Sequence, residues 1–148
     1  TPIVGVINAP LKGLYWAENG KGAFRSGSPI HVSNTVEISK VLMGIDSGKF
    51  NRDAHLPFFK KAMGKDGITC PFCTGCASVC LALVASAGLD AYLATSLNPE
   101  DMAAAVVIIR EAGGKVTNLR CEEWQLGDAS ILAANPVLHQ KLFEFLEC

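Results

Sequence analysis

Apolar and polar positions alternate with a period of two through the opening residues. PIVGVINAP reads as one strand, LKG as a turn, LYWAENGKGAF as a continuation, and Ser26-Gly27-Ser28-Pro29 as a second turn before IHVS. The pattern predicts an antiparallel meander over residues 1–35. Its first strand begins with neither a cap nor a linker before it, so the chain is expected to be a fragment that continues an earlier element. After Ser33-Asn34-Thr35 the pattern changes to strands alternating with helices. KVLMGID, ITCPF, DAYLAT, KVTN and SILAAN read as strands, with helices at RDAHLPFFKKAM and SVCLALVASA, the second closing at Gly88. Such alternation argues for an α/β layered domain over residues 36–148.

Two later helices carry the clearest end signals. NPEDMAAAVVIIREAGG offers Asn98 as N-cap, Pro99 in the first turn, acids at Glu100 and Asp101, and Gly113-Gly114 as a stop. PVLHQKLFEFLE starts from Asn135 with Pro136 behind it and places Leu138, Leu142, Phe145 and Leu146 on one face.

Composition narrows the function classes. At 148 residues with 49% hydrophobic and 18% charged residues, the chain has material for a real core and is a little apolar for a free-standing domain. Thirteen Lys and Arg nearly cancel fourteen Asp and Glu without a basic stripe, which argues against nucleic acid or an anionic membrane as a partner. The longest apolar run, Cys76 to Leu89, is shorter than a membrane span and is interrupted by Ser78, Ser86 and Gly88. A cytoplasmic protein with small ligands is expected. Four of the six cysteines fall within eleven residues and no secretory signal opens the sequence, so they read as reduced thiols.

Asp101 is the leading candidate for chemistry, since a carboxylate at the start of a helix in an α/β fold faces the crevice where such folds place ligands. Taken alone, a capping role is the commoner explanation for an acid at that place. The order of the surrounding motifs carries more weight. Glu100-Asp101-Met102-Ala103-Ala104-Ala105 followed by Glu111-Ala112-Gly113-Gly114 is similar to a helix of the inositol monophosphatase family that opens with Trp-Asp and ends in Glu-Ala-Gly-Gly. Pro2 to Val6, the Gly20-to-Phe24 turn, Val84-Ala85 before Gly88 and Asp90-Ala91-Tyr92, and Ala133-Ala134-Asn135 follow in the family's order. The chain therefore resembles the C-terminal part of the inositol-monophosphatase/fructose-bisphosphatase-like fold, a layered mixed sheet with flanking helices preceded by the meander.

The resemblance implies a Mg²⁺-dependent phosphomonoesterase acting on a phosphorylated inositol, sugar or nucleotide, working as a homodimer. It implies a metal-binding role for Asp101, close to a substrate hydroxyl. It also implies substrate binding at Gly75, Cys76 and Ala77, where the family has Gly, Ser or Thr, and Ala at a helix start. The family's earlier glutamate and Asp-Pro-x-Asp-Gly-Thr loop, which supply most of its metal ligands, have no counterpart here. Lys65-Asp66-Gly67-Ile68-Thr69 reads as a turn. By itself the chain is expected to be inactive. Ala94 stands where animal inositol enzymes carry an acidic residue that selects inositol, and Glu100 and Ala105 replace Trp and Gly.

Two other readings compete. Cys70, Cys73, Cys76 and Cys80 have the spacing of a bacterial iron–sulfur segment, but Leu81 follows where Pro is usual and no second set exists, so a cysteine-ligated metal or redox module is the alternative. Reactive thiols at Cys73 or Cys76 are a milder version of it. The third reading is a non-catalytic family relative acting in assembly. His31, His55 and His139 read as a strand residue, a loop or helix-start residue and a helix-surface residue, Trp16 and Trp124 as core or interface, and Gly20-Lys21-Gly22 as a hairpin turn.

Overall fold

The computed structural model describes residues 2–147. The alternating opening folds as expected into four antiparallel strands, β1 (Val4–Ala9), β2 (Gly13–Glu18), β3 (Ala23–Arg25) and β4 (Ser28–Pro29), joined in chain order. Along β1 exposed and buried residues alternate without exception, so Ile7 and Ala9 face inward while Val4 and Val6 face out.

A second sheet has the order β6-β5-β7-β9-β8, built from β5 (Leu42–Ser47), β6 (Cys70–Phe72), β7 (Ala91–Thr95), β8 (Lys115–Thr117) and β9 (Ile131–Ala134). β5 is parallel to both β6 and β7, whereas β9 runs antiparallel to β7 and β8. Helices α1 (Leu56–Ala62) and α4 (Pro136–Leu146) cover one face of this sheet, and α2 (Ala77–Ala85) and α3 (Ala103–Glu111) lie between its other face and the β1–β4 sheet. The result is a four-layer β–α–β–α stack. β7 is buried at all five positions because both faces are covered: Tyr92 and Ala94 join the α2/α3 core, Ala91 and Leu93 the α1/α4 core.

Asn135 caps α4, its Oδ1 accepting the Leu138 N–H at 2.9 Å, and Leu138, Leu142 and Leu146 are buried while Phe145 is half-buried. The start of α3 differs from expectation. Pro99–Asp101 forms a tight 3-10 turn, and the α-helix begins only at Ala103. Asp101 accepts the Asn98 N–H while Met102 N–H bonds back to Pro99, so the Asn-Pro start closes as an i→i+3 turn before the helix takes over. Residues 31–37 form no strand, which removes His31 from the expected one. His139 is a further correction: it is fully buried, not on the helix surface, and its Nε2 lies 2.9 Å from Thr117 Oγ1 of β8.

The Gly20-Lys21-Gly22 hairpin turn is an anion-binding nest with an internal occupant. The N–H groups of Gly20 and Gly22 donate to Oε1 and Oε2 of Glu111, each at 2.8 Å, tying the end of α3 to the first sheet. These donors hold the Glu111 carboxyl below the usual range. A depressed carboxyl contributes stability that is present above its unfolded pKa and lost as pH falls through the folded one. Solvent screens this partly exposed carboxyl, so Glu111→Gln is expected to cost no more than about 1 kcal/mol at neutral pH. The gap to wild type should narrow as pH falls below the ordinary glutamate value of about 4.3 and close only beneath the depressed folded value, and urea melts at a series of pH values from 7 down to about 2.5 check both points.

Candidate functional site

Three parallel strands end at one edge of the second sheet, and the chain leaves two of them in opposite directions. β5 runs on through residues 47–55 to α1 and the outer strand β6, while β7 runs through residues 96–102 to α3 and β8 on the other side. A crevice opens where carboxyl-terminal connections diverge in this way. A cavity of about 310 Å³ lies there, lined by Asp46 and the segments 47–50, 75–78 and 96–98 together with Tyr92 and Asp101. Lys49 and Arg52 line its continuation beside Gly75.

The floor of the crevice is organised by Asp46, which sequence reasoning did not single out. It sits near the end of β5 on the α2/α3 side and is only 2% exposed. Its Oδ1 accepts from Cys73 Sγ at 2.6 Å, Thr74 N at 3.0 Å and Gly75 N at 3.1 Å, and its Oδ2 from Tyr92 Oη at 2.9 Å and Thr74 Oγ1 at 3.3 Å. Five donors fill the acceptor capacity of one carboxylate, so Asp46 anchors the loop into α2 and has no lone pair left for an ion. Burial first, and then the nearby carboxylate, push the Tyr92 phenol far above its usual range. Gly44 makes the contact sterically possible, since a Cβ there would come within 2.7 Å of the Tyr92 ring. The signals in sequence were a lone aspartate ending an apolar strand and a tyrosine within another, neither of which announces its partner 46 residues away.

The walls are two crossing loops and a helix start. Gly48 N donates to Thr95 O at 2.7 Å, and any Cβ on Gly48 would overlap the Ser96 carbonyl oxygen. Ser96 itself has φ +56, a left-handed conformation uncommon for a side-chain-bearing residue and typical of strained functional loops. Opposite, α2 begins after Cys76, and its first intrahelical bond is Cys80 N to Cys76 O. The N–H groups of Ala77 and Ser78 have no acceptor among the described residues, and both residues line the crevice. That is the arrangement in which helix N-termini hold anions.

The structure thus brings Asp101, Gly75, Cys76 and Ala77 into one cavity. Asp101 is exposed; its Oδ2 caps the 3-10 turn by accepting from Asn98 N at 3.3 Å, and its Oδ1 accepts no hydrogen bond among the described residues. Mg²⁺ commonly binds through one or two carboxylates with phosphate oxygens and water completing its shell, and a free carboxylate oxygen fits that use. Among the described residues no three His, Cys, Asp or Glu side chains are placed to share an ion. The cysteines diverge: Cys70 lies exposed on β6, Cys73 bonds to Asp46, Cys76 lines the cavity, and Cys80 is buried with its Sγ 2.9 Å from Thr74 Oγ1. Ala94 is fully buried under α2 and α3 and lines no part of the cavity.

Known proteins share this architecture. The inositol monophosphatase family model matches residues 1–148. An inositol-1-monophosphatase of Synechocystis is 35% identical over 150 residues, which cover 98% of this chain and 51% of that protein. A putative Nus factor SuhB of Neisseria meningitidis serogroup B is 36% identical over 144 residues, 93% of this chain and 54% of that one. The solved inositol monophosphatase of Anabaena superposes with a TM-score of 0.88 at 30% identity, covering 99% of this chain and 62% of that one. The chain spans about half the length of the curated relatives it matches. A sequence match along all 148 positions and a shared fold agree with the crevice found at the strand ends, and the chain belongs to the inositol monophosphatase family.

Proposed function

We propose that this chain forms one wall of a Mg²⁺-dependent phosphomonoesterase site for an inositol, sugar or nucleotide phosphate. The observation that carries the reading is that the free oxygen of Asp101 and the unpaired N–H groups of Ala77 and Ser78 border the same crevice. The α2 N-terminus together with Lys49 and Arg52 supplies positive potential for the phosphate. The loops at 47–50 and 96–98 shape the space for the alcohol portion, and the exposed Phe50 ring offers an apolar face at the rim. Asp101 would hold the ion; bound there, Mg²⁺ neutralises phosphate charge and lowers the pKa of coordinated water. The names of the Synechocystis and Anabaena relatives support inositol monophosphate as a first substrate to try. A cytoplasmic location belongs to the same proposal.

One free carboxylate makes a weak ion site and no two-metal clamp. The 148-residue chain alone is therefore expected to release no phosphate from inositol monophosphate with Mg²⁺. It should nonetheless show Mg²⁺-induced NMR shifts at residues 98–102 that vanish in Asp101→Asn, and phosphate-induced shifts at the Ala77 and Ser78 amides. Metal-dependent hydrolysis that survives Asp101→Ala would remove this reading.

A second reading, a non-catalytic role in homodimeric assembly, is supported by the outer face of the first sheet. Val6, Trp16, Phe24 and Pro29 are paired in register across its four strands, with the Trp16 and Phe24 rings stacked at 4.5 Å. The relative named as a Nus factor supports the non-catalytic part of this reading. Light scattering that finds only monomer at high concentration would discard this homodimer.

A further inference from the structure

The Cys73-Thr74-Gly75-Cys76 segment lies between the end of β6 and the start of α2, and the phosphatase reading uses only its backbone. Its two cysteines differ in environment. Both are exposed, but of the two only Cys76 lines the crevice, where it immediately precedes the first residue of α2. Cys73 is held 2.6 Å from Asp46 Oδ1, which also receives the Thr74 and Gly75 amides, so a carboxylate able to take its proton is already in hydrogen-bond contact. Gly75, at φ +68, bends the chain between the two. Cys80 has a different outlet: it is buried and faces Thr74 Oγ1.

We propose that Cys73 and Cys76 are a thiol–disulfide exchange pair, with Cys76 the thiol that attacks a disulfide from solvent and is capped by it, Cys73 the resolving thiol, and Asp46 its proton acceptor. The oxidant is a small disulfide of the glutathione class. Cys76 Sγ, as thiolate, attacks one sulfur of that disulfide; the S–S bond breaks, one glutathione leaves as thiolate, and a mixed disulfide remains on Cys76. Cys73 Sγ then attacks Cys76 Sγ while its proton passes to Asp46 Oδ1, and the second glutathione leaves as thiolate and takes up that proton. Two protein thiols are oxidised and one small disulfide is reduced to two thiols.

The environment sets the order. The hydrogen bond to Asp46, followed by burial and the carboxylate's charge, pushes the Cys73 thiol up. That bond occupies the Cys73 thiol until a sulfur is presented to it, whereas the Cys76 thiol makes no hydrogen bond among the described residues and faces the crevice. Bond formation withdraws the Cys73 donor from Asp46 and locks the loop that leads into α2, so the oxidised state acts on the wall of the crevice.

The test is mass spectrometry of the full 148-residue chain after incubation with oxidised glutathione, with tryptic mapping. The expected result for the wild type is the loss of two hydrogens and a Cys73–Cys76 cross-link, without a lasting adduct. Cys73→Ser keeps a hydroxyl donor for Asp46 and should trap a single glutathione on Cys76. Cys76→Ser should lose the cross-link and react at least ten-fold more slowly at this loop. Should a serine variant fail to fold, differential alkylation of the wild type before and after oxidation reads the same pairing. A stable adduct on Cys76 in the wild type, a cross-link to any other cysteine, or no reaction at this loop overturns the proposal. The readout is covalent, so it stands or falls independently of phosphate hydrolysis.

Discussion

Replacing Asp46 with alanine is expected to lower the unfolding free energy by about 3–5 kcal/mol, a loss set by donors left without an acceptor. The Tyr92 phenol is fully buried, and the amides of Thr74 and Gly75 lose the oxygen that holds the loop against β5. Asp46→Asn should be milder, at about 1–2 kcal/mol. Its carbonyl oxygen can still accept the two amides, while its NH₂ can donate to the Tyr92 and Thr74 hydroxyl oxygens after these rotate. Tyr92→Phe tests the same network from the other side: it deletes one donor and leaves the carboxylate four. Urea unfolding of the three variants should rank alanine well below asparagine. Equal losses for Ala and Asn would mean that charge, not donor satisfaction, is what the site requires. The same variants connect fold to site, because the loop released by Asp46→Ala carries Gly75 and Cys76 into the crevice wall.

The second large expected effect is acid sensitivity from His139. Burial, and then the positive charge of Lys115, push its imidazole down to about 4. Its Nδ1 makes no well-formed hydrogen bond among the described residues, and the nearby Leu132 backbone, which favours the second proton, offsets burial and Lys115 only in small part. In the unfolded chain the same side chain titrates near about 6.5. Between those values the unfolded state binds a proton that the folded state refuses, so stability is full above about pH 6.5 and declines as pH falls toward about 4, by up to about 3 kcal/mol. His139→Gln, which can keep a hydrogen bond to Thr117, should flatten the slope of stability against pH over that window. Denaturant midpoints at pH 7, 5.5 and 4.5 make the comparison. An unchanged slope in the variant would assign the acid loss to carboxylates elsewhere.

Elements whose identity rests on neighbours in sequence were legible without coordinates. The two-residue alternation of β1, the Asn135-Pro136 start of α4 and the Gly113-Gly114 stop after α3 each follow from local bonding and steric preference, and each is present. The family resemblance rested on the order of such local motifs, and the comparisons bear it out. Where local rules offered two outcomes, the sequence reading was less exact. Asn98-Pro99-Glu100-Asp101 promised a helical first turn and folds as a 3-10 turn, because its capping bonds close over three residues. Cysteine spacing alone left a metal cluster open, and the thiols instead point to Asp46, to Thr74 and to solvent.

Sequence alone therefore determined the order of strands and helices, the family, and the candidacy of Asp101 and the Gly75–Ala77 helix start. Only tertiary structure decided that Asp46 and Tyr92 meet under that helix, that His139 is sealed beneath β8, and that Glu111 fills the hairpin nest. The physical reason is range. Periodicity and capping act within a few residues and leave a trace in the sequence, whereas these polar groups find their partners 22 to 91 positions away, where no local pattern records the pairing.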